Sequence, residues 1–318
     1  MTAGRIHPLS YTINLKDIKD TPMKTVETVY IIGGLYGNWA ALSHILKYKL
    51  IEEVEMKSNV TLLFNGDFNW LNVTNETFEL INQTVIQHIA LKGNIESELA
   101  APTPNVGCGC AYPDSVEDEI VDRSNSMIQR LQQISSHFPL ITNQLLQLPS
   151  FINLKIGSIK VTALHGDPES IAGWGLGIDA MPPIGQTNSK ISEWFNYTGT
   201  KVFACSHTCI PFMQNFNQNL VVNNGAAGMP NFSDNLAGTI TRISIHKTSL
   251  PILYGTKLSG CYIDALPIEW DYHWNDWFIK HWPDGSTGNI SYANRFNFGT
   301  HFKLKQAIRL DQCLSMRT

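Results

Sequence analysis

The chain has 318 residues, and 23 Lys+Arg against 27 Asp+Glu leave a formal net charge of −4. Apolar residues at 43% are enough for a large core and exclude a disordered chain, while a charged share of only 16%, against the usual ~25%, offers no broad basic face for nucleic acid. No apolar run approaches the ~20 residues of a membrane helix, the N-terminus lacks the basic-then-apolar layout of a signal peptide, and six cysteines are too sparse for a secreted disulfide scaffold, so a cytoplasmic protein is expected.

Residues 1–27 are polar and weakly patterned, and read as an arm laid on the surface. Val29-Tyr-Ile-Ile-Gly-Gly is a short apolar run of the kind that fills a buried strand, and Trp39 onward shows helical spacing. The unit repeats: Val60-Thr-Leu-Leu-Phe is a strand ending in Asn65-Gly66-Asp67, Glu76–Gln87 a helix, and His88-Ile-Ala-Leu-Lys a strand closing on Gly93-Asn94. Strand, Gly-containing turn and helix in alternation argue an α/β domain with its site at strand C-terminal ends. Two helices are expected at Asp114–Leu131 and Phe138–Leu148, then a hairpin from Ile152–Ile156 and Ile159–Leu164 around Gly157-Ser158. After a Gly/Pro-rich stretch from Gly173 to Gly185 and a short helix near Ile191–Phe195, strands follow at Lys201–Ala204, Pro211–Gln214, Leu220–Asn223 and Gly238–His246. The tail after about Ser249 carries Trp270, Trp274, Trp277 and Trp282 in a tight aromatic stretch. Aromatics at helical spacing are read as packing on the core or on a second subunit, in preference to a lid over the site.

Five polar turns fall at the expected strand ends: Gly33 to Asn38, Gly66-Asp67, Gly93-Asn94, His165-Gly166-Asp167 and Ser206-His207-Thr208-Cys209. One carboxylate, one amide oxygen and two imidazoles make a mixed O/N set suited to Mn, Fe or Zn. Singly these are ordinary turn residues; in this order and placement they point to a metal site.

The same turns give the chain a resemblance to the calcineurin-like metallophosphoesterases, from about residue 28 to 246, including the later Asn223-Asn-Gly-Ala-Ala-Gly-Met-Pro, which is similar to that family's Asn-Pro-Gly-Ser-x-Gly turn. The resemblance implies a β-sandwich flanked by helices, four layers αββα, with two metals at strand ends that clamp a phosphate ester and supply a hydroxide nucleophile. The whole chain, 1–318, is then one such domain, with a core at about 28–248 and an aromatic C-terminal extension at about 249–318 docked on it. Matched residue by residue, it implies that Asp67, Asn94, His165 and His207 are ligands of one metal, with Asp67 positioned to bridge. At the other metal's positions stand Gly34, Tyr36 and Cys209, so that half-site is degraded; Ile95 replaces the family's usual catalytic histidine. The expectation is one divalent transition metal, with any second held weakly, and a hydrolase cleaving a small phosphate mono- or diester with metal-activated water. The alternative is an inactive relative that binds a phosphorylated ligand or a protein partner. A homo-oligomer through the aromatic segment is a further expectation.

Other candidates carry two readings each. Cys108, Cys110 and Cys209 could build a soft metal site, with plain packing preferred. Arg123 could reach a substrate phosphate, or pair with a carboxylate on a solvated helix face. Asp167 could orient an imidazole from behind, or cap its turn. Asn38 is a candidate for either role near the substrate, and His44 and His137 read as structural.

Overall fold

Val29 and Ile31 point to one side of their strand, Tyr30 and Ile32 to the other, and all four are buried. A strand covered on both faces needs a layer above and a layer below, and the rest of the chain supplies them. The computed structural model describes residues 3–311 and 316–317. Its elements begin with α1 (Leu15–Asp20), β1 (Lys24–Thr25), β2 (Thr28–Ile32), α2 (Trp39–Met56), β3 (Val60–Asn65), α3 (Asn75–Val85), β4 (Ile89–Leu91) and α4 (Asn94–Ala100). The middle holds α5 (Asp118–Ser135), α6 (Pro139–Leu146), β5 (Phe151–Ile156), β6 (Ile159–Leu164), α7 (Ser189–Thr198), β7 (Val202–Cys205), β8 (Phe212–Phe216) and β9 (Asn219–Asn223). The last part holds β10 (Gly238–Ser244), β11 (Tyr254–Leu258), β12 (Cys261–Ile268), α8 (Tyr272–His281), α9 (Thr287–Phe298), β13 (Ile308–Arg309) and β14 (Met316–Arg317).

The strands form two mixed sheets. One runs β1-β5-β6-β7-β9-β8-β13 and the other β14-β11-β12-β10-β2-β3-β4. Val29, Ile31 and Leu63 meet Leu154, Val161 and Ala204 in the first core, which also takes in Ile18, Ile191 and Trp194 from α1 and α7. Tyr30, Ile32, Leu62 and Phe64 pack with α2 and α3 in the second. The α/β sandwich flanked by helices is therefore the observed architecture. Strands β2, β3 and β4 are parallel neighbours, as are β6, β7 and β9, so the turns that follow them share one rim.

Three expectations are corrected. The arm before Thr28 is not merely laid on the surface: Tyr11, Ile13 and Ile18 enter the core, and β1 pairs with β5. The first middle helix starts at Asp118, with Asp118 and Glu119 in its first turn where the helix dipole favours them. Most consequentially, the sheet does not end near residue 248. Strand β12 pairs with β10 from Gly238↔Ile268 to Ser244↔Tyr262, and β11 pairs with β12, so 254–268 are interior strands and not part of a docked extension. Asp264 and Pro267 hid that strand from an apolar pattern. Asp264 is tolerated because Arg242 of β10 reaches it, Nη1 to Oδ2 at 3.4 Å, while Arg242 Nε donates to Glu52 Oε1 of α2 at 2.7 Å. All three are buried, and the Tyr30 hydroxyl donates to Glu52.

The aromatic segment packs inward. Trp274, Phe278 and Trp282 are buried in the second core, Trp282 Nε1 donates to Leu71 O at 3.4 Å, and Arg130 lies 4.4 Å over the Trp282 ring. Those three side chains are thus spent inside their own chain. None of the described helices is long and apolar enough to cross a membrane.

Candidate metal centre

The site is assembled by turns that only close backbone approach permits. Gly66 has φ +79, and a Cβ on it would stand 2.5 Å from His165 Nδ1; a Cβ on Gly93 would stand 2.5 Å from Asp67 Oδ1. Between them Asp67 itself is left-handed, φ 55, as are Tyr36 and Cys209 on the neighbouring turns, a clustering of strained backbone typical of functional sites. Asn65 stitches the two sheets together at this rim, its Nδ2 donating to Leu164 O at 2.8 Å and to Ser206 Oγ at 2.9 Å.

Asp67, His165 and His207 converge, with one ligand atom from each lying within 4.8 Å of the others. His165 Nδ1 donates to the Asn65 carbonyl at 2.8 Å, which turns Nε2 toward Asp67 Oδ2, 3.3 Å away. His207 Nε2 donates to the Cys110 carbonyl at 3.0 Å, which turns Nδ1 toward His165 Nε2 at 3.2 Å. Each imidazole is therefore held from behind by a carbonyl, in the way metal-ligating histidines are. Asn94 opens α4 beside them. Its Nδ2 donates to Cys108 O at 3.0 Å, while its Oδ1 is buried with no hydrogen-bond partner among the described residues. Two nitrogens crowded on each other, a carboxylate and an orphaned amide oxygen fit a divalent transition metal well.

The charges follow from this crowding. Burial works against the Asp67 anion, but the charge and hydrogen bond of His165 outweigh it and hold its carboxyl below the usual range. Burial likewise opposes a proton on His165, yet Asp67 and the Asn65 carbonyl together raise it above the ordinary imidazole value. Burial and then the adjacent His165 push His207 down to about 4. Glu96, fully buried, is pushed up to about 7 by burial and by the Asp67 charge. Its Oε2 accepts from the Asp67 and Gly93 amides at 2.7 and 3.1 Å, so it positions the turn that presents Asp67.

A consequence can be measured. At pH 6 His165 and Glu96 are protonated and His207 is not, so an ion entering the site displaces the His165 proton and, by cancelling the Asp67 charge, loosens that on Glu96. Release of about one to two protons per ion is expected at pH 6, falling as the pH rises and these groups lose their protons beforehand, so apparent affinity rises with pH. Calorimetry in buffers of different ionisation enthalpy counts the protons, and Glu96→Gln should release fewer. An affinity independent of pH would show that these groups do not meet the ion.

The other half of the expected centre is closed. The Tyr36 hydroxyl is hydrogen-bonded to Cys209 Sγ, and a Cβ on Gly34 would come 2.8 Å from Tyr36 Cζ, so the Tyr36 ring fills the space that a side chain at 34 would take. Burial raises Tyr36 well above an ordinary phenol and pushes Cys209 up to about 12, so both are neutral.

Several candidates fall elsewhere. Arg123 Nε donates to Ser291 Oγ at 3.2 Å and ties α5 to α9 away from the pocket. Asp167 caps its own turn, accepting from Glu169 and Ser170 at Oδ1 and from Gly175 at Oδ2; the role behind the imidazole belongs to Asn65. Asn38 caps α2 through Ala41 N and donates to Gly228 O, leaving it structural. His44 accepts from Glu269 N, as a structural histidine does. Among the described residues Cys108, Cys110 and Cys209 do not gather as metal ligands; Cys110 Sγ accepts from Asn94 Nδ2 at 3.4 Å.

The centre opens into a cavity of about 170 Å³ whose wall includes Asp67, His207, Trp174, Tyr292 and Arg295. Sequence reasoning missed the last three. Trp174 sits in the Gly/Pro-rich stretch, stands edge-on to His207 at 5.3 Å and shares the Cys110 carbonyl with it. Tyr292 and Arg295 come from α9, beyond the aromatic helix, so the tail packs through α8 and lines the site through α9.

No family model matches the sequence, and no curated protein matches it either. Among solved structures, a hypothetical protein from Pyrococcus horikoshii overlays with a TM-score of 0.57 at 15% identity, over 87% of this chain and 100% of its own. A metallophosphoesterase from Sphaerobacter thermophilus overlays with a TM-score of 0.51 at 15% identity, over 86% and 99%. The chain has the calcineurin-like metallophosphoesterase fold.

Proposed function

We propose that the protein is a metal-dependent phosphoesterase that cleaves a small phosphate mono- or diester with one divalent transition metal, Mn, Fe or Zn, held by Asp67, Asn94, His165 and His207. The observation that carries this reading is the set of donor atoms turned on one another, Nε2 of His165 against Nδ1 of His207 at 3.2 Å, with Asp67 Oδ2 beside them and the Asn94 oxygen unpartnered among the described residues. When bound, the ion supplies Lewis acidity and makes water a nucleophile at neutral pH. The chain's own work is to fix both imidazole tautomers through the Asn65 and Cys110 carbonyls, to hold Asp67 in its left-handed turn through Glu96, and to cover His207 with Trp174. Turnover of an aryl phosphate and an aryl phosphodiester with added Mn tests the reading; no rate with any of the three metals would overturn it.

One observation favours a second reading, an inactive relative that binds a phosphorylated ligand or protein partner: the Tyr36–Cys209 contact leaves only Asp67 of the second ligand set. Removing half of a two-metal clamp costs several kcal/mol of transition-state stabilisation by the general logic of electrostatic catalysis. Restoring it tests how much of the scaffold survives. Gly34→Asp alone should bind no further ion, because the new side chain meets the Tyr36 ring on a backbone with φ +41. Gly34→Asp, Tyr36→His and Cys209→His together should raise metal content toward two ions per chain and raise the esterase rate about 100-fold or more. Unchanged metal content in the triple variant would show that the half-site has lost its geometry as well as its ligands.

A further inference from the structure

We infer that Arg295 and Tyr292 of α9 form an oxyanion subsite for the phosphoryl group and stand in for the second metal ion whose ligands are missing at Gly34, Tyr36 and Cys209. The inference rests on the phosphoesterase reading for its substrate but on separate observations for its site. Arg295 Nε donates to Pro230 O at 2.8 Å, and Nη2 donates to Cys209 O at 3.3 Å and Asn231 Oδ1 at 3.4 Å. The guanidinium is thus fixed along one edge by neutral acceptors, and one of those is the main chain of the very residue that stands at a missing ligand's position.

Its other edge is unspent. Among the described residues no carboxylate pairs with Arg295 and no acceptor takes Nη1, although the side chain is partly buried and lines the cavity that also contains Asp67 and His207. A cation withdrawn from water without a counter-charge is costly, and a planar fork held rigid on one side suits a tetrahedral oxyanion on the other. Tyr292 points the same way. Its oxygen accepts from Trp70 Nε1 at 2.6 Å, and its hydroxyl hydrogen has no acceptor among the described residues. Burial keeps the phenol protonated, so with its oxygen already accepting from Trp70 it still has a hydrogen to donate. A fixed positive fork and a neutral donor beside a metal-ligand cluster are what one phosphoryl group requires in place of a second ion.

The test titrates inorganic phosphate into the full-length, Mn-loaded protein by calorimetry, with metal content measured in parallel. The wild type is expected to bind about one phosphate per chain, and Arg295→Gln to weaken it about ten- to a hundredfold with metal content unchanged. Arg295→Lys should recover part of the loss, since it restores charge but not the fork. Tyr292→Phe, which keeps the ring packing, should weaken binding about three- to tenfold, and it decides the matter if Arg295→Gln does not fold. Unaltered phosphate affinity in Arg295→Gln or Tyr292→Phe, or no phosphate binding by the wild type, overturns the subsite. Arg295-dependent phosphate binding without turnover of any ester would retain the subsite and remove the hydrolase reading. Turnover with phosphate affinity and KM indifferent to residue 295 would do the reverse.

Discussion

His165→Ala is expected to leave the purified protein without tightly bound metal. The side chain supplies the nitrogen at the centre of the cluster, 3.3 Å from Asp67 Oδ2 and 3.2 Å from His207 Nδ1, and it is fully buried. Loss of a partner that merely orients a ligand costs ~10–100-fold in affinity, and loss of the ligand itself should exceed the upper end of that range. Elemental analysis after dialysis should fall from about one ion per chain to a small fraction, with esterase turnover falling in parallel. His44→Ala, in a helix away from the cluster, is the control. Full metal retention by His165→Ala would mean that the ion sits elsewhere, and two full-occupancy ions bridged by Asp67 in the wild type would overturn the single-ion reading.

The largest effect on stability is expected from Arg242→Met. Arg242 is wholly buried between Glu52 and Asp264, and its Nη2 also donates to His246 O at 2.8 Å. Methionine restores most of the volume but leaves two buried carboxyl groups without their cation, a change that costs about 3–5 kcal/mol. Guanidinium unfolding should show a lower midpoint at unchanged slope. Arg242→Met combined with Glu52→Gln and Asp264→Asn should recover much of the loss, because neutral amides cost less to bury than unpaired charges. A single-variant loss under ~1 kcal/mol would show that water reaches the cluster.

What was legible in the sequence is what repeats a local rule. The strand-turn-helix units from Val29 to Asn94 carry apolar runs and Gly-Asp or Gly-Asn turns, and the four expected ligands stand on turns of the same kind. What was illegible depends on contacts between distant segments. Strand β12 contains a buried aspartate that Arg242, twenty-two residues earlier, reaches with its guanidinium. Arg295 looks like any helical arginine until α9 is docked on the 230–231 turn. Arg123, with the same apparent promise, is docked on Ser291 instead. The Asn65 and Cys110 carbonyls that set the histidine tautomers have no side-chain signature at all. Even the missing half-site was only half readable: the absence of ligands shows in Gly34, Tyr36 and Cys209, but not the way the Tyr36 ring takes up the room.

The short strands β1, β13 and β14 have a protective consequence. Each is two residues long, and each lies against the outer side of a longer strand, β5, β8 and β11 respectively. Of the four lateral borders of the two sheets, three are sealed in this way, and the fourth is β4, only three residues long. An unsealed border offers a row of free amides and carbonyls to any other extended chain. Proteolytic trimming past residue 308 would strip the cover from β8 and β11 together, leaving the rim that carries Asp67, His165 and His207 largely untouched while making the chain prone to edge-to-edge aggregation.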